Sequence, residues 1–266
     1  MDGRHLDRIR GLVTGGDLQA ARQALLADIA RLLERSGRHG RLKRNCLITG
    51  PARVGKTLLA QRLAERTGTV ALSLDIIREV FWHLRDDARR AQARRVLFEG
   101  LLEAFPGRLV LESDDLVCLN RSDRNPAYDP LSLDLAAEWQ RRGLARVCVV
   151  GCADSSPEQK LGALESWRAK GKCWTETHPA FAAETGLLRL ADEIVQTSRT
   201  LRDLSRAQGL SYIELGSDDF SGSLEAAVIR IATELGPGTA EPVPPRSTGQ
   251  AASGPVTSSA LRRARQ

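Results

Sequence analysis

Residues 50–57 read Gly-Pro-Ala-Arg-Val-Gly-Lys-Thr and fit the phosphate-loop pattern G-x-x-x-x-G-K-[ST]. The two glycines let the backbone wrap closely round a phosphate chain, with its N–H groups pointing inward. Lys56 can reach the β- and γ-phosphates of a nucleoside triphosphate, and the hydroxyl of Thr57 can ligate Mg²⁺. The predicted nucleotide-binding residues are Gly50, Pro51, Ala52, Arg53, Val54, Gly55, Lys56, Thr57 and Leu58.

The sequence around this loop has the context that the motif requires. Residues 45–49 form a short apolar run typical of a buried strand, and residues 57–66 have the spacing of an amphipathic helix that ends at Gly68. A strand, a glycine loop and a helix in this order predict binding of ATP, or alternatively GTP, together with Mg²⁺.

Charge is unevenly distributed along the 266 residues, whose net charge is +6. Residues 1–44 hold ten Lys or Arg against five Asp or Glu, and residues 237–266 hold four Arg against one Glu, which leaves about −2 for residues 45–236. A nucleic-acid track needs a basic surface, so the charge of this central part argues against one.

The apolar residues and the cysteines argue against a membrane-spanning, a secreted and a zinc-binding protein. No apolar run approaches the 18 residues or so that cross a membrane, and residues 1–30 lack the apolar core of a secretory signal. The five cysteines include no C-x-x-C pair, which argues against a zinc site and favours small apolar side chains in a reducing compartment. A cytoplasmic protein is expected.

Strands and helices alternate through the central part of the chain, which predicts an α/β fold with a five-stranded parallel sheet flanked by helices. The predicted strands are 45–49, 69–73, 108–112, 145–150 and 211–215. The predicted helices are 17–35, 75–105 with a break near Asp86 and Asp87, 130–142 opened by Asp129 and Pro130, 155–170 opened by a Ser155–Glu158 capping box, 185–208 and 223–235.

Three regions follow from this pattern. Residues 1–44 form a basic amphipathic helix and linker, residues 45–236 form the phosphate-loop domain, and residues 237–266 are expected to be a disordered tail rich in Pro, Gly, Ser and Thr. The 17–35 helix either packs on the outside of the central domain or binds an anionic surface; packing is the favoured interpretation.

Polar residues follow the strands at the edge where ligands bind in such sheets. Asp75 and Arg78 follow the second strand, three residues apart on one helix face. The Asp75 carboxylate could accept the proton of an acceptor hydroxyl, and the Arg78 guanidinium could clamp an anionic or polyhydroxylic acceptor. The alternative for Asp75 is a helix cap without chemistry.

Carboxylates after the third strand are candidates for Mg²⁺. Glu112 ends that strand and is favoured over Asp114 as a ligand. The predicted metal residues are Thr57, Glu112 and Asp114. Glu112 is also a predicted acceptor-binding residue. Asp154 follows the fourth strand, and Asp218 and Asp219 follow the fifth.

Residues 153–175 contain three of the five lysines and are predicted to form a lid over the phosphates. Arg168 is the first candidate there for contact with the transferring group, followed by Lys172, with Arg199 as a weaker one. The candidate catalytic residues are therefore Lys56, Asp75 and Arg168.

The phosphate loop, the Asp75-x-x-Arg78 pair, the apolar strand ending in Glu112 and the basic segment before a long helix resemble the small P-loop kinases with the nucleoside-monophosphate-kinase-like fold. That group includes shikimate kinase, gluconate kinase, chloramphenicol phosphotransferase, zeta toxin and polynucleotide kinase. The resemblance covers about 45–236 and implies Mg-ATP as donor, an acceptor insert near 75–105, a lid near 153–175 and a base at Asp75. The arginine-rich lid pattern of the nucleotide kinases is incomplete, so no acceptor is named.

The leading interpretation is an ATP-dependent kinase that phosphorylates a hydroxyl of a small molecule. Two alternatives stay open: a kinase for a nucleic-acid end or nucleotide-sugar, and a non-kinase P-loop ATPase or regulatory nucleotide-binding protein. The sequence does not indicate an oligomeric state.

Overall fold

Five parallel strands form the centre of the computed structural model, which describes residues 3–113, 133–169 and 184–237. Their order across the sheet is β2–β3–β1–β4–β5. The strands are β1 (Asn45–Thr49), β2 (Val70–Ser73), β3 (Leu109–Ser113), β4 (Ala145–Gly151) and β5 (Ser211–Glu214). All four pairings are parallel, which confirms the predicted α/β fold.

Helices connect these strands. The helices are α1 (Gly3–Gly15), α2 (Leu18–Ser36), α3 (Lys56–Thr67), α4 (Asp75–Arg78), α5 (Asp87–Ala104), α6 (Asp134–Arg141), α7 (Pro157–Ala169), α8 (Glu184–Ala207) and α9 (Phe220–Leu235). The predicted break near Asp86 is confirmed, because the Asp86 side chain caps α5 by accepting hydrogen bonds from the N–H groups of Ala88 and Arg89. The prediction of helix over residues 79–86 is wrong: α4 ends at Arg78, and turns connect it to α5.

Helix α1 was not predicted from the sequence. Its 13 residues include three glycines, Gly3, Gly11 and Gly15, which lower helix propensity. Ile9 and Val13, one turn apart, are nevertheless buried. Packing against the rest of the protein therefore stabilises a helix that local propensity disfavours.

The strand side chains alternate between two buried clusters, one on each face of the sheet. Leu47 joins the first cluster, to which α1, α2, α5 and α6 contribute. Cys46 and Ile48 join the second, to which α3, α7, α9 and the first half of α8 contribute. The phosphate-loop helix α3 thus lies on the face opposite α1 and α2.

The basic N-terminal helix packs against the protein, as the favoured interpretation predicted. Helix α2 packs on α5 and buries Ala21, Leu25, Ile29 and Leu33. Residues on both sides of position 44 therefore share one buried cluster. The domain boundaries at 44 and 236 stay predictions.

Helix α7 starts one residue later than the sequence predicted. The capping pair of α7 is Ser156 and Gln159 instead of Ser155 and Glu158: the Gln159 side-chain oxygen accepts from the Ser156 N–H at 2.7 Å, and Ser156 Oγ accepts from the Gln159 N–H at 3.2 Å. The Ser155 hydroxyl instead donates to Ser217 Oγ at 2.9 Å.

The predicted start of the 130–142 helix, at Asp129 and Pro130, lies outside the described residues, as does the tail after residue 237. Within the ranges given above, none of the helices has the length and apolar character needed to cross a membrane.

Candidate nucleotide and acceptor site

Close backbone packing explains both glycines of the phosphate loop between β1 and α3. Gly50 has φ 154°, and a Cβ atom there would lie 2.0 Å from the Val150 carbonyl oxygen of the neighbouring strand β4. Gly55 has φ 102°, and its Cβ would lie 2.6 Å from the Phe220 ring. Since neither position has room for a side chain, the loop keeps the tight curve that a phosphate chain requires.

The lysine of the motif is folded back over the loop. Its side chain is 4% exposed. The ammonium of Lys56 donates a hydrogen bond to the Pro51 carbonyl oxygen at 2.5 Å. Thr57 and Leu58 follow in the first turn of α3 with exposed side chains. Lys56 is thus held at the loop, and the Thr57 hydroxyl is accessible to a metal ion.

The ends of β1, β2 and β3 come together beside this loop. Glu112 of β3 pairs in register with Ile48 of β1 and with Ser73 of β2. The Leu74 N–H donates to the Glu112 carbonyl oxygen at 2.8 Å, which places Asp75 directly after this contact. The structure therefore brings Asp75 and Glu112 to the same edge of the sheet as the phosphate loop.

Strand alternation decides where the Glu112 side chain lies. Val110, two residues earlier, belongs to the buried cluster that contains α3, so Glu112 is on the α3 face of the sheet. Its side chain is 6% exposed. A carboxylate and the Thr57 hydroxyl supply only oxygen donors, which fit Mg²⁺. Asp114, the third predicted metal residue, lies outside the described residues.

A second arginine joins the predicted acceptor residues. Asp75 and Arg78 are the first and last residues of the short helix α4, and Trp82 lies in the turn that follows it. Ile77 and Phe81 in the same segment are buried. The guanidinium carbon of Arg78 lies 5.3 Å from the centroid of the Trp82 ring, and that of Arg90 on α5 lies 5.7 Å from it. Trp82 is 39% exposed. An indole flanked by two guanidinium groups thus lies in the turn that follows the proposed base.

Several carboxylates predicted near the phosphates have structural partners instead. Asp154 forms an ion pair with Arg202 at 2.5 Å. Asp219 caps α9 by accepting from the Gly222 N–H at 3.0 Å. Asp154 and Asp219 therefore stabilise local structure at the ends of β4 and α9.

Glu214, which was not among the residues predicted from the sequence, binds two backbone N–H groups that follow β4. Its two carboxylate oxygens accept from Ala153 at 3.0 Å and from Asp154 at 3.1 Å. Burial raises the pKa of Glu214, and burial likewise raises the pKa of the neighbouring Tyr212 hydroxyl. Glu214 also borders a cleft of about 610 Å³ between β5, α9 and the start of α7.

Residues 157–169 of the predicted lid lie within the helix that the sequence predicted over 155–170, and closure of this segment over the phosphates stays a prediction. These residues form α7, which packs against α8 and buries Leu164. Arg168 lies in the last turn of α7 with an exposed side chain. Arg199 donates to the Ala153 carbonyl oxygen at 3.1 Å, so it supports the end of β4. Lys172 and the rest of the proposed lid lie outside the described residues.

Lys160, one of the three lysines of the predicted lid, lies against the phosphate loop, although it was not among the predicted site residues. Its side chain is 3% exposed, and its ammonium donates to the Arg53 carbonyl oxygen at 2.8 Å. One sequence signal pointed to it: the lysines are few, and this one lies in the segment after β4. Nothing in the sequence indicated that it would be buried against the phosphate loop.

No protein-family model and no curated protein matches this sequence. Among solved structures, the chain is similar to shikimate kinase from Bacteroides thetaiotaomicron, with 16% identity, a TM-score of 0.45, and coverage of 72% of this chain and 98% of the other. It is also similar to shikimate kinase from Acinetobacter baumannii in complex with shikimate, with 16% identity, a TM-score of 0.40, and coverage of 72% and 93%. At these values the similarities carry no argument about activity, so the function of this chain has to be inferred from its own geometry.

Proposed function

We propose that this protein is an ATP-dependent phosphotransferase that moves the γ-phosphate of Mg-ATP to a hydroxyl group of a small molecule. The observation that carries the proposal is the meeting of the Gly50–Thr57 loop, Asp75 and Glu112 at one edge of the sheet. A loop that binds phosphate beside a carboxylate that accepts a proton is the minimum that phosphoryl transfer to an alcohol requires.

The proposed roles follow from position. Loop N–H groups and Lys56 bind the phosphates, with ATP preferred and GTP as the alternative donor. Thr57 and Glu112, together with Asp114, would hold Mg²⁺, which when bound neutralises charge on the β- and γ-phosphates. Asp75 accepts the proton of the acceptor hydroxyl. Arg78 and Glu112 bind and position the acceptor. Arg168 stabilises negative charge on the phosphoryl group during transfer.

The first test is nucleotide binding by a Lys56→Ala variant. We expect the variant to keep its fold and to lose binding of Mg-ATP in titration calorimetry, because the ammonium that contacts the β- and γ-phosphates is removed. Lys43→Ala is the matched control, since Lys43 is an exposed lysine that precedes β1 at the other end of that strand. Equal affinity in the parent and the Lys56→Ala variant would refute the assignment.

The second test separates the alternative functions. A library of small hydroxyl compounds, mononucleosides and 5′-hydroxyl oligonucleotides is screened for compounds that accelerate ATP consumption. Stimulation by a small hydroxyl compound, with a phosphorylated product in the mass spectrum, is the expected result. Stimulation by oligonucleotides alone would favour a nucleic-acid-end kinase, and ATP hydrolysis that no compound stimulates would favour a non-kinase ATPase. The cytoplasmic location stays a prediction.

A further inference from the structure

A buried cation supports the phosphate loop from outside the motif. Lys160 of α7 donates to the Arg53 carbonyl oxygen at 2.8 Å, and its ammonium lies 4.9 Å from the centroid of the Trp167 ring. Burial of an ammonium group is costly unless it is well partnered, and an apolar side chain at this position would avoid that cost. The contact with Arg53 therefore points to a role beyond packing of α7.

Arg53 has an unusual backbone conformation. Its φ is 63°, and among the described residues it is the single non-glycine residue with a positive φ. A side chain makes this left-handed conformation unfavourable, and it persists where the surroundings hold it in place. The hydrogen bond from Lys160 is one such restraint on the Arg53 backbone.

A second restraint acts two residues later and is joined to the first. The Phe220 ring lies against Gly55, and it stacks edge to face on Trp167, with ring centroids 5.3 Å apart. Trp167 in turn borders the Lys160 ammonium. Lys160, Trp167 and Phe220 thus form a continuous support, which we call the loop brace, behind residues 53–55.

Peptide geometry connects the loop brace to phosphate binding. In a planar trans peptide the C=O and N–H groups point in opposite directions. When Lys160 holds the Arg53 carbonyl toward α7, the N–H of Val54 in the same peptide points away from α7. In a phosphate loop the inward-pointing N–H groups bind the phosphate chain. Lys160 would therefore keep one of these donors aimed at the ligand.

We propose that Lys160 is a positioning residue of the phosphate site, which raises affinity for the phosphate chain by fixing the orientation of the Arg53–Val54 peptide. This inference rests on the proposed function, because it presupposes that the loop binds a nucleotide. It adds a determinant of affinity that lies more than a hundred residues from the motif in the chain.

The test compares Lys160→Met with Lys160→Arg in the full-length protein. We expect Lys160→Met to bind Mg-ATP about tenfold more weakly, as loss of one charge-assisted hydrogen bond would give. Inorganic tripolyphosphate, which lacks a base and a ribose, should show the same loss. Lys160→Arg retains a charged donor for the Arg53 carbonyl oxygen, and it should stay within about threefold of the parent. Lys43→Met is the control for a change in net charge.

The outcomes are distinguishable from failure of the proposed function. If the parent binds Mg-ATP and Lys160→Met binds equally well, the positioning role is wrong. An equal loss in Lys160→Arg, or in Lys43→Met, would also overturn it, since packing or net charge would then explain the effect. If Lys160→Met does not fold, Lys160→Gln replaces it with the same expectation. A parent that binds no Mg-ATP would instead overturn the proposed function.

Discussion

Single residues in this site are constrained by backbone geometry as much as by chemistry. Gly50 touches the β4 backbone, Gly55 touches the Phe220 ring, and Arg53 adopts a left-handed conformation between them. The pattern G-x-x-x-x-G-K-[ST] specifies the two glycines but accepts any residue at position 53. The left-handed conformation of Arg53 and its hydrogen bond from Lys160 are therefore visible only in the tertiary structure.

Asp75 is the residue whose replacement most directly tests the chemistry. Asp75→Asn keeps the shape of the side chain but cannot take up a proton from the acceptor. We expect turnover with the identified acceptor to fall by about 10²–10⁴, while the dissociation constant for Mg-ATP stays within about threefold. Steady-state kinetics and calorimetry measure the two quantities. Turnover within a few-fold of the parent would place the base elsewhere, with Glu112 the next candidate.

At the scale of elements, a carboxylate network joins α5 to α6. Glu99 accepts hydrogen bonds from the indole N–H of Trp139 at 2.9 Å and from Arg95 at 2.8 Å, and it pairs with Arg142 at 2.9 Å. Trp139 is fully buried, so its indole N–H depends on this partner. Burial of Glu99 acts to raise its pKa, but the three hydrogen bonds outweigh burial and lower it.

We therefore expect Glu99→Gln to destabilise the protein in a pH-dependent way. At pH 7 the free energy of unfolding should fall by about 1–2 kcal/mol. This value is small because Arg95 and Arg142 are both partly exposed. A carboxylate with a lowered folded-state pKa contributes stability above its unfolded-state pKa, and this contribution disappears as pH falls through the folded-state pKa.

Urea unfolding at several pH values measures this difference. The gap between parent and Glu99→Gln should be constant from pH 7 to about 5 and should shrink below the ordinary glutamate pKa of about 4.3. A gap that is unchanged at pH 3 would show that the charge of Glu99 contributes nothing and that the effect comes from packing alone.

At the scale of the whole molecule, the two faces of the sheet carry different structural elements. The α3 face contains the phosphate loop and its brace, whereas α1 and α2 complete the opposite face. Helix α1 also contacts residues 79–83, within the proposed acceptor insert: Arg10 donates to the Glu79 carbonyl oxygen at 3.3 Å, and the Thr14 hydroxyl lies 2.7 Å from the His83 ring nitrogen. Helix α1 therefore supports the segment that is proposed to bind the acceptor.

Deletion of residues 1–16 tests this division. The deletion removes Ile9 and Val13, each 1% exposed, and burial of such side chains stabilises a fold by about 1.5–3 kcal/mol each. We expect the melting temperature to fall by several degrees while affinity for Mg-ATP is retained and the KM for the acceptor rises. Truncation after residue 237 is the control, and it should change none of these quantities. Loss of Mg-ATP affinity in the N-terminal deletion would show that the two faces are coupled.

Local sequence patterns determined the phosphate loop, the five strands and the parallel sheet, because short-range spacing and strand burial report directly on backbone structure. Asp75, Arg78 and Glu112 could be selected because the carboxyl ends of parallel strands meet at one edge. Tertiary structure alone decided that α1 forms despite its glycines, that the predicted helix α7 packs against α8, and that Lys160 lies against the phosphate loop. Those contacts join residues distant in the chain, and their free energy depends on packing and burial, which no local pattern encodes.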